Sequence, residues 1–94
     1  MPTYLVSYDL NKPPQNADYH PLVRRIRDDW HGERVLYSEW FVRTTTKAAE
    51  LRDDLRRYLD ANDGLIVLGL TGEAAWTGST LQLGDDDVKR LLAA

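Results

Sequence analysis

The chain of 94 residues contains no cysteine. Disulfides and thiolate metal sites are therefore excluded, and a reducing compartment is compatible. Long apolar runs are also missing. The longest candidates, such as Leu65–Leu70, fall far short of the roughly 18 residues of a membrane span. The first residues lack the charged-then-apolar order of a secretory signal, so a cytoplasmic protein with no membrane partner is expected. No basic surplus exists: 12 Lys/Arg stand against 15 Asp/Glu, for a net charge of −3. Residues 1–59 carry ten basic and nine acidic side chains, and residues 60–94 carry two and six, so the acid excess sits in the last third. Tight non-specific nucleic-acid binding draws on phosphate neutralisation, and this balance argues against it. There is no phosphate-cradling glycine loop, no serine nucleophile elbow and no Cys nucleophile. The two histidines, His20 and His31, are not at a zinc-ligand spacing. His20 is either a general base near the first turn or a polar residue at a helix start.

What is present describes one folded domain, read as residues 1–80 with a weakly helical tail over 81–94. The apolar fraction of 43% is that of an ordinary globule. Tyr4-Leu5-Val6-Ser7-Tyr8-Asp9 reads as a buried strand, stopped by the Pro13-Pro14 pair. Tyr19, Leu22, Val23, Ile26 and Trp30 share one helical face, which predicts a helix from about Asp18 to Trp30. Asp18 or Asn16 is the expected cap, and Gly32 closes the helix. Arg34–Arg43 is long for one strand and is expected to reverse at Ser38 or Glu39. A threonine of Thr44-Thr45-Thr46 should cap a second helix that buries Ala48, Leu51, Leu55, Tyr58 and Leu59, with Asp53 and Arg57 paired four apart. Asn62-Asp63-Gly64 is a turn, Leu65–Leu70 a strand, Ala74–Thr77 a short edge strand, and Val88, Leu91 and Leu92 mark a terminal helix. Asp85 to Asp87 are favourably placed at its amino end.

A βαββαβ order of this kind predicts an α+β, ferredoxin-like domain: one antiparallel sheet with two helices on one face. The strand residues on the other face would then lie open, and an open apolar patch usually marks an interface. A homodimer across that face is expected. The alternative is that the chain beyond Trp76 folds back over it.

The strand ending in Tyr8-Asp9, the amphipathic helix and the segment Arg34-Val35-Leu36-Tyr37-Ser38-Glu39-Trp40-Phe41 together resemble the second core CRISPR-associated family. They also resemble its relatives, the virulence-associated D toxins and SinR-like small proteins. The resemblance covers roughly residues 3–70. It implies a ferredoxin-like homodimer acting on RNA or DNA. The activity implied is either Mg²⁺-dependent endonuclease cleavage, most plausibly of RNA, or non-catalytic bridging of DNA and an integrase-type protein in antiviral defence. Asp9 matches the first-strand aspartate proposed as the metal and catalytic residue, and Ser38 matches the hydroxyl position of the second segment. Glu39-Trp40 departs from the smaller apolar pair usual after that serine.

From the residues alone, Asp9 is either a metal or acid–base carboxylate held rigidly at a strand end, or a plain turn cap. A dimer would bring two Asp9 side chains toward its axis, where one or two carboxylates and waters suffice for Mg²⁺. Tyr8 and Asn11 are supporting candidates. Arg24, Arg25 and Arg27 are candidate phosphate contacts, against the commoner reading of a solvated helix face. Tyr8, Tyr37, Trp30, Trp40 and Trp76 would stack on single-stranded bases or pack the core.

Overall fold

A computed structural model describes residues 1–11, 20–78 and 80–93. Strand β1 (Thr3–Asp9) leads to helix α1 (Pro21–Arg24), which widens into a π-helical stretch over Arg25–Asp29. Strands β2 (Glu33–Leu36) and β3 (Glu39–Arg43) form a hairpin. Helix α2 (Ala48–Leu55) tightens into a 3₁₀ turn over Arg56–Tyr58. Strand β4 (Gly64–Gly69) follows, and helix α3 (Asp85–Leu92) ends the described chain.

The four strands make one antiparallel sheet in the order β2-β3-β1-β4. Alternation along β1 sends Tyr4, Val6 and Tyr8 to one face and Leu5, Ser7 and Asp9 to the other. The first set packs with Trp40 and Val42 of β3 against Leu22, Val23 and Ile26 of the first helix and Leu51 and Leu55 of α2. This is the larger core, and both helices lie on that face. The other face is not left bare. Val35 and Phe41 pack with Val88 and Leu91 of α3, and Leu5, Leu70, Trp76, Leu81 and Leu83 join them. The segment read as a tail thus supplies half of a second core, and the chain beyond Trp76 folds back as the alternative reading allowed.

Polar contacts among the described residues brace that cover and tie it to the sheet. The buried Thr3 hydroxyl donates to the Leu91 carbonyl. Gln82 N–H donates to the Val35 carbonyl at 2.9 Å. The Trp76 indole N–H donates to Asp85 at 2.8 Å. Arg90 pairs with Glu33 at 3.0 Å, with Glu33 raising the Arg90 pKa.

Several local expectations are corrected. The expected caps Asp18 and Asn16 lie outside the described residues. His20 caps α1 instead: its Nδ1 accepts the Leu22 N–H at 3.1 Å, and Pro21 takes the first helical position, where no N–H is needed. The helix ends through His31, at φ 55°, before Gly32. Gly32 has little room, since a Cβ there would stand 2.7 Å from Ile26 Cγ2. Lys47 precedes α2 without a side-chain cap, while the Thr44 hydroxyl accepts the Thr46 N–H at 3.1 Å within the approach. Arg57 pairs with Asp54 rather than Asp53, because the 3₁₀ turn after Leu55 brings positions three apart into line. Ala74–Thr77 forms no strand. Its Trp76 packs onto the second core by its side chain, and Gly72 (φ 94°) and Gly78 (φ 124°) take the backbone out of extended conformation.

Candidate functional site at the end of the first strand

Asp9 is the last residue of β1 and faces Gly64 in the register with β4. The sheet therefore holds its backbone from the side. Its carboxylate is exposed, and no hydrogen bond or ion pair joins it to another described residue. A Cβ built on Gly64 would meet nothing within 4 Å, so the space beside Asp9 is open. Ser7, Tyr8, Asp9, Gly64, Leu65 and Ile66 line a shallow depression of about 250 Å³ there.

The turn-capping role open to Asp9 in the sequence falls to Asp63. Its Oδ1 accepts the Asn11 N–H at 2.8 Å, and its Oδ2 accepts the Asp60 N–H at 2.7 Å. One carboxylate thus ties the exit of β1 to the turn that enters β4, and Asp9 is left over at the rim. The sequence marks Asp63 only as part of an Asn-Asp-Gly turn. Its reach to Asn11, 52 residues away, carries no sequence signal.

The other candidates separate into two groups. Ser38 lies in the two-residue β2–β3 turn, and its carbonyl accepts the Tyr8 N–H at 3.2 Å. Ser38, Asn11 and Asp9 are therefore at one end of the sheet. The Tyr8 side chain points away from them into the larger core, where its hydroxyl accepts the Trp40 indole N–H at 3.2 Å. Arg24, Arg25 and Arg27 belong to the helix layer, on the face opposite the one to which β1 alternation assigns Asp9. Arg25 grips Asp54 of α2 through Nε and Nη2, both at 2.9 Å, and reaches Asp29 at 3.0 Å. Asp54 also accepts the Trp30 indole N–H at 2.8 Å. The widened π turn, closed by Trp30 N–H to the Arg25 carbonyl, sets both donors on one carboxylate. The Arg25 guanidinium and the Trp30 N–H hold the Asp54 pKa below the ordinary carboxylate value, against the opposing effect of partial burial. Arg27 pairs with Asp28 at 2.9 Å. Two of the three arginines thus serve the helix layer, and Arg24 remains exposed.

His20 is engaged as a helix cap. Trp30 and Trp40 are packing residues, and Arg34 stacks over Trp40 at 4.7 Å. Among the described aromatic residues, Tyr37 is the one left exposed, at the hairpin turn.

No family model matches the chain, and no solved structure matches it.

Among the described residues, no three His, Asp or Glu side chains converge as metal ligands. The arrangement at Asp9 offers one free, solvated carboxylate on a rigid support. That is a single protein ligand for a hard cation, with the remaining positions left to water and to phosphate oxygens of a substrate, a common way of holding Mg²⁺. No helix of the described residues is long and apolar enough to cross a membrane.

Proposed function

We propose that the protein is a ferredoxin-like, homodimeric nucleic-acid-associated protein that hydrolyses phosphodiester bonds of RNA, with Mg²⁺ at Asp9. The strand order β2-β3-β1-β4, with α1 and α2 on one face, supports the ferredoxin-like part. The observation that carries the chemistry is the spare carboxylate. Asp9 is exposed at the end of a paired strand and makes no hydrogen bond or ion pair with another described residue, while Asp63 does the local capping. A charged side chain with no structural partner on a rigid strand is suited to a ligand role. A bound ion would neutralise charge on the phosphate and lower the pKa of a coordinated water. Asp9 would hold that ion, the bare Gly64 would leave room for the sugar-phosphate chain, and Ser38 and Asn11 would flank the approach.

A cleavage assay on short RNA and DNA strands tests this. Cleavage should need Mg²⁺, stop in EDTA, and disappear in Asp9→Asn while the melting temperature stays put, because no internal bond is lost. Cleavage that persists in EDTA or in Asp9→Asn overturns the proposal.

A second reading is a non-catalytic binding module for an integrase-type or other protein. It is favoured by the described lining of the Asp9 depression, where no described residue is basic, and by the exposed Leu36 and Tyr37 at the nearby hairpin. This module would show no turnover and would lose its partner in Tyr37→Ala.

A further inference from the structure

The two edges of the sheet are defended differently. β2 has four residues, carries Glu33 and Arg34, and shifts register between Arg34 and Leu36. Its Val35 carbonyl is also taken by Gln82 of the tail. β4 has six residues, Gly-Leu-Ile-Val-Leu-Gly, and keeps an unbroken register with β1 from Gly64 to Gly69. It contains no charge, no proline and no bulge, the devices that normally blunt an exposed edge.

The ladder shows which groups of β4 are free. Leu70 N–H donates to the Thr3 carbonyl at 3.0 Å, and continuing the register sets these two residues directly opposite. Hydrogen-bonded pairs alternate in an antiparallel ladder, so Leu5–Leu68, Ser7–Ile66 and Asp9–Gly64 are the bonded pairs. Leu65, Val67 and Gly69 then turn their N–H and C=O groups outward. None of these groups bonds to backbone of another described residue. Beside them, on the face shared with Leu5 and Ser7, stand Ile66 and Leu68, 52% and 45% exposed.

We infer that β4 pairs antiparallel with β4 of a second copy about a two-fold axis at Val67, joining two sheets into one of eight strands. An axis at this residue centres the three outward-facing positions. Val67 meets the partner's Val67, and Leu65 meets the partner's Gly69, so each outward N–H and C=O has a partner. The same register sets Ile66 opposite the partner's Leu68, twice by symmetry. Neutral, aliphatic and self-complementary, the edge fits a second copy of itself, as an isologous interface requires. One strand per side is a small interface, below about 1,200 Å², which points to roughly micromolar association.

Such a dimer keeps both Asp9 residues on one side of the joined sheet. Asp9 lies three residues along and one and a half strand spacings across from the axis, which separates the two carboxylates by roughly 25 Å. Each then works alone rather than sharing an ion. The pairing does not rest on the proposed cleavage chemistry, and Asp9→Asn should leave association unchanged.

Sedimentation of the full chain from low to high micromolar loading tests the inference. The wild type should move from one chain to two. Ile66→Lys should melt like the wild type, because Ile66 is exposed in the single chain, yet associate roughly tenfold or more weakly. Mixing the Ile66→Lys chain with a Leu68→Glu chain should restore the dimer, since position 66 of one faces position 68 of the other. A wild type that stays a single chain, a folded Ile66→Lys variant that associates normally, or a mixture that fails to recover would each overturn the pairing. So would a dimer broken by Tyr37→Asp and untouched by Ile66→Lys.

Discussion

The two faces of the sheet are covered by different means. On one, Leu22, Ile26, Leu51 and Leu55 are wholly buried against Val6 and Val42, and the helices above are joined by a carboxylate with three side-chain donors. On the other, a single two-turn helix supplies Val88 and Leu91, and its charged contact to the sheet is the exposed Arg90–Glu33 pair. The first face is built by elements that the chain order places side by side. The second is assembled from opposite ends of the chain, Thr3 with Leu91 and Val35 with Gln82. Covering only part of the second face leaves Asp9, Ile66 and Leu68 exposed, so that face has room for function.

The sharpest test of this contrast is a pair of truncations. Leu55→Ala should lower unfolding stability by about 3 kcal/mol, within the usual range for a fully buried leucine. Leu91→Ala should cost less, about 2 kcal/mol, because the terminal helix can shift to fill the space. Equal losses in denaturant melts would mean that both faces form one cooperative core. Gly32→Ala comes next, at about 2 kcal/mol, since its Cβ would press on the buried Ile26 Cγ2 and on the Ile26 carbonyl 3.0 Å away. A neutral Gly32→Ala would show that the helix end on the first face yields easily.

Asp54→Asn should cost about 1–2 kcal/mol by weakening three donors' contacts. The same carboxylate sets an acid limit. Its folded pKa lies below the ordinary value, so in the unfolded chain it takes up a proton first as pH falls. Its stabilisation is complete above about pH 4 and is lost as pH drops through the folded value. Acid melts of the wild type should show this decline, and Asp54→Asn should flatten it. The smallest effect is expected on the second face: Arg90→Gln should barely move the denaturant midpoint, and less still in high salt, as is usual for an exposed ion pair. A larger loss would make that contact a principal anchor of α3.

Much of the frame was legible in the residues. The apolar run Tyr4–Asp9, with its aromatic and β-branched residues, identified β1, and the apolar run Leu65–Leu70 identified β4. The overlong Arg34–Arg43 segment does reverse, at Tyr37-Ser38. Helical periodicity picked out Leu22, Val23, Ile26, Leu51 and Leu55 as buried. Expectations failed where long-range contacts override local preference. Ala74–Thr77 has strand-forming content, but Trp76 is drawn onto the second core without a ladder partner. The threonines before α2 are good caps by type, yet the helix begins after Lys47. Arg25 and Arg27 look like a basic patch in the sequence, but Arg27 pairs with the adjacent Asp28, and the grip of Arg25 on Asp54 is visible only once α2 is brought alongside.

The sequence by itself determined the four sheet strands, the three helices in outline and one buried face, because periodic apolar spacing is a local property that reports which side of a strand or helix avoids water. It also placed Asp9 at a strand end. Only the tertiary structure decided that Asp9 bonds to no other described residue while the local capping falls to Asp63, 52 residues beyond Asn11. It likewise decided which edge of the sheet stays open, because hydrogen-bond partners of a strand are chosen by the packing of distant segments.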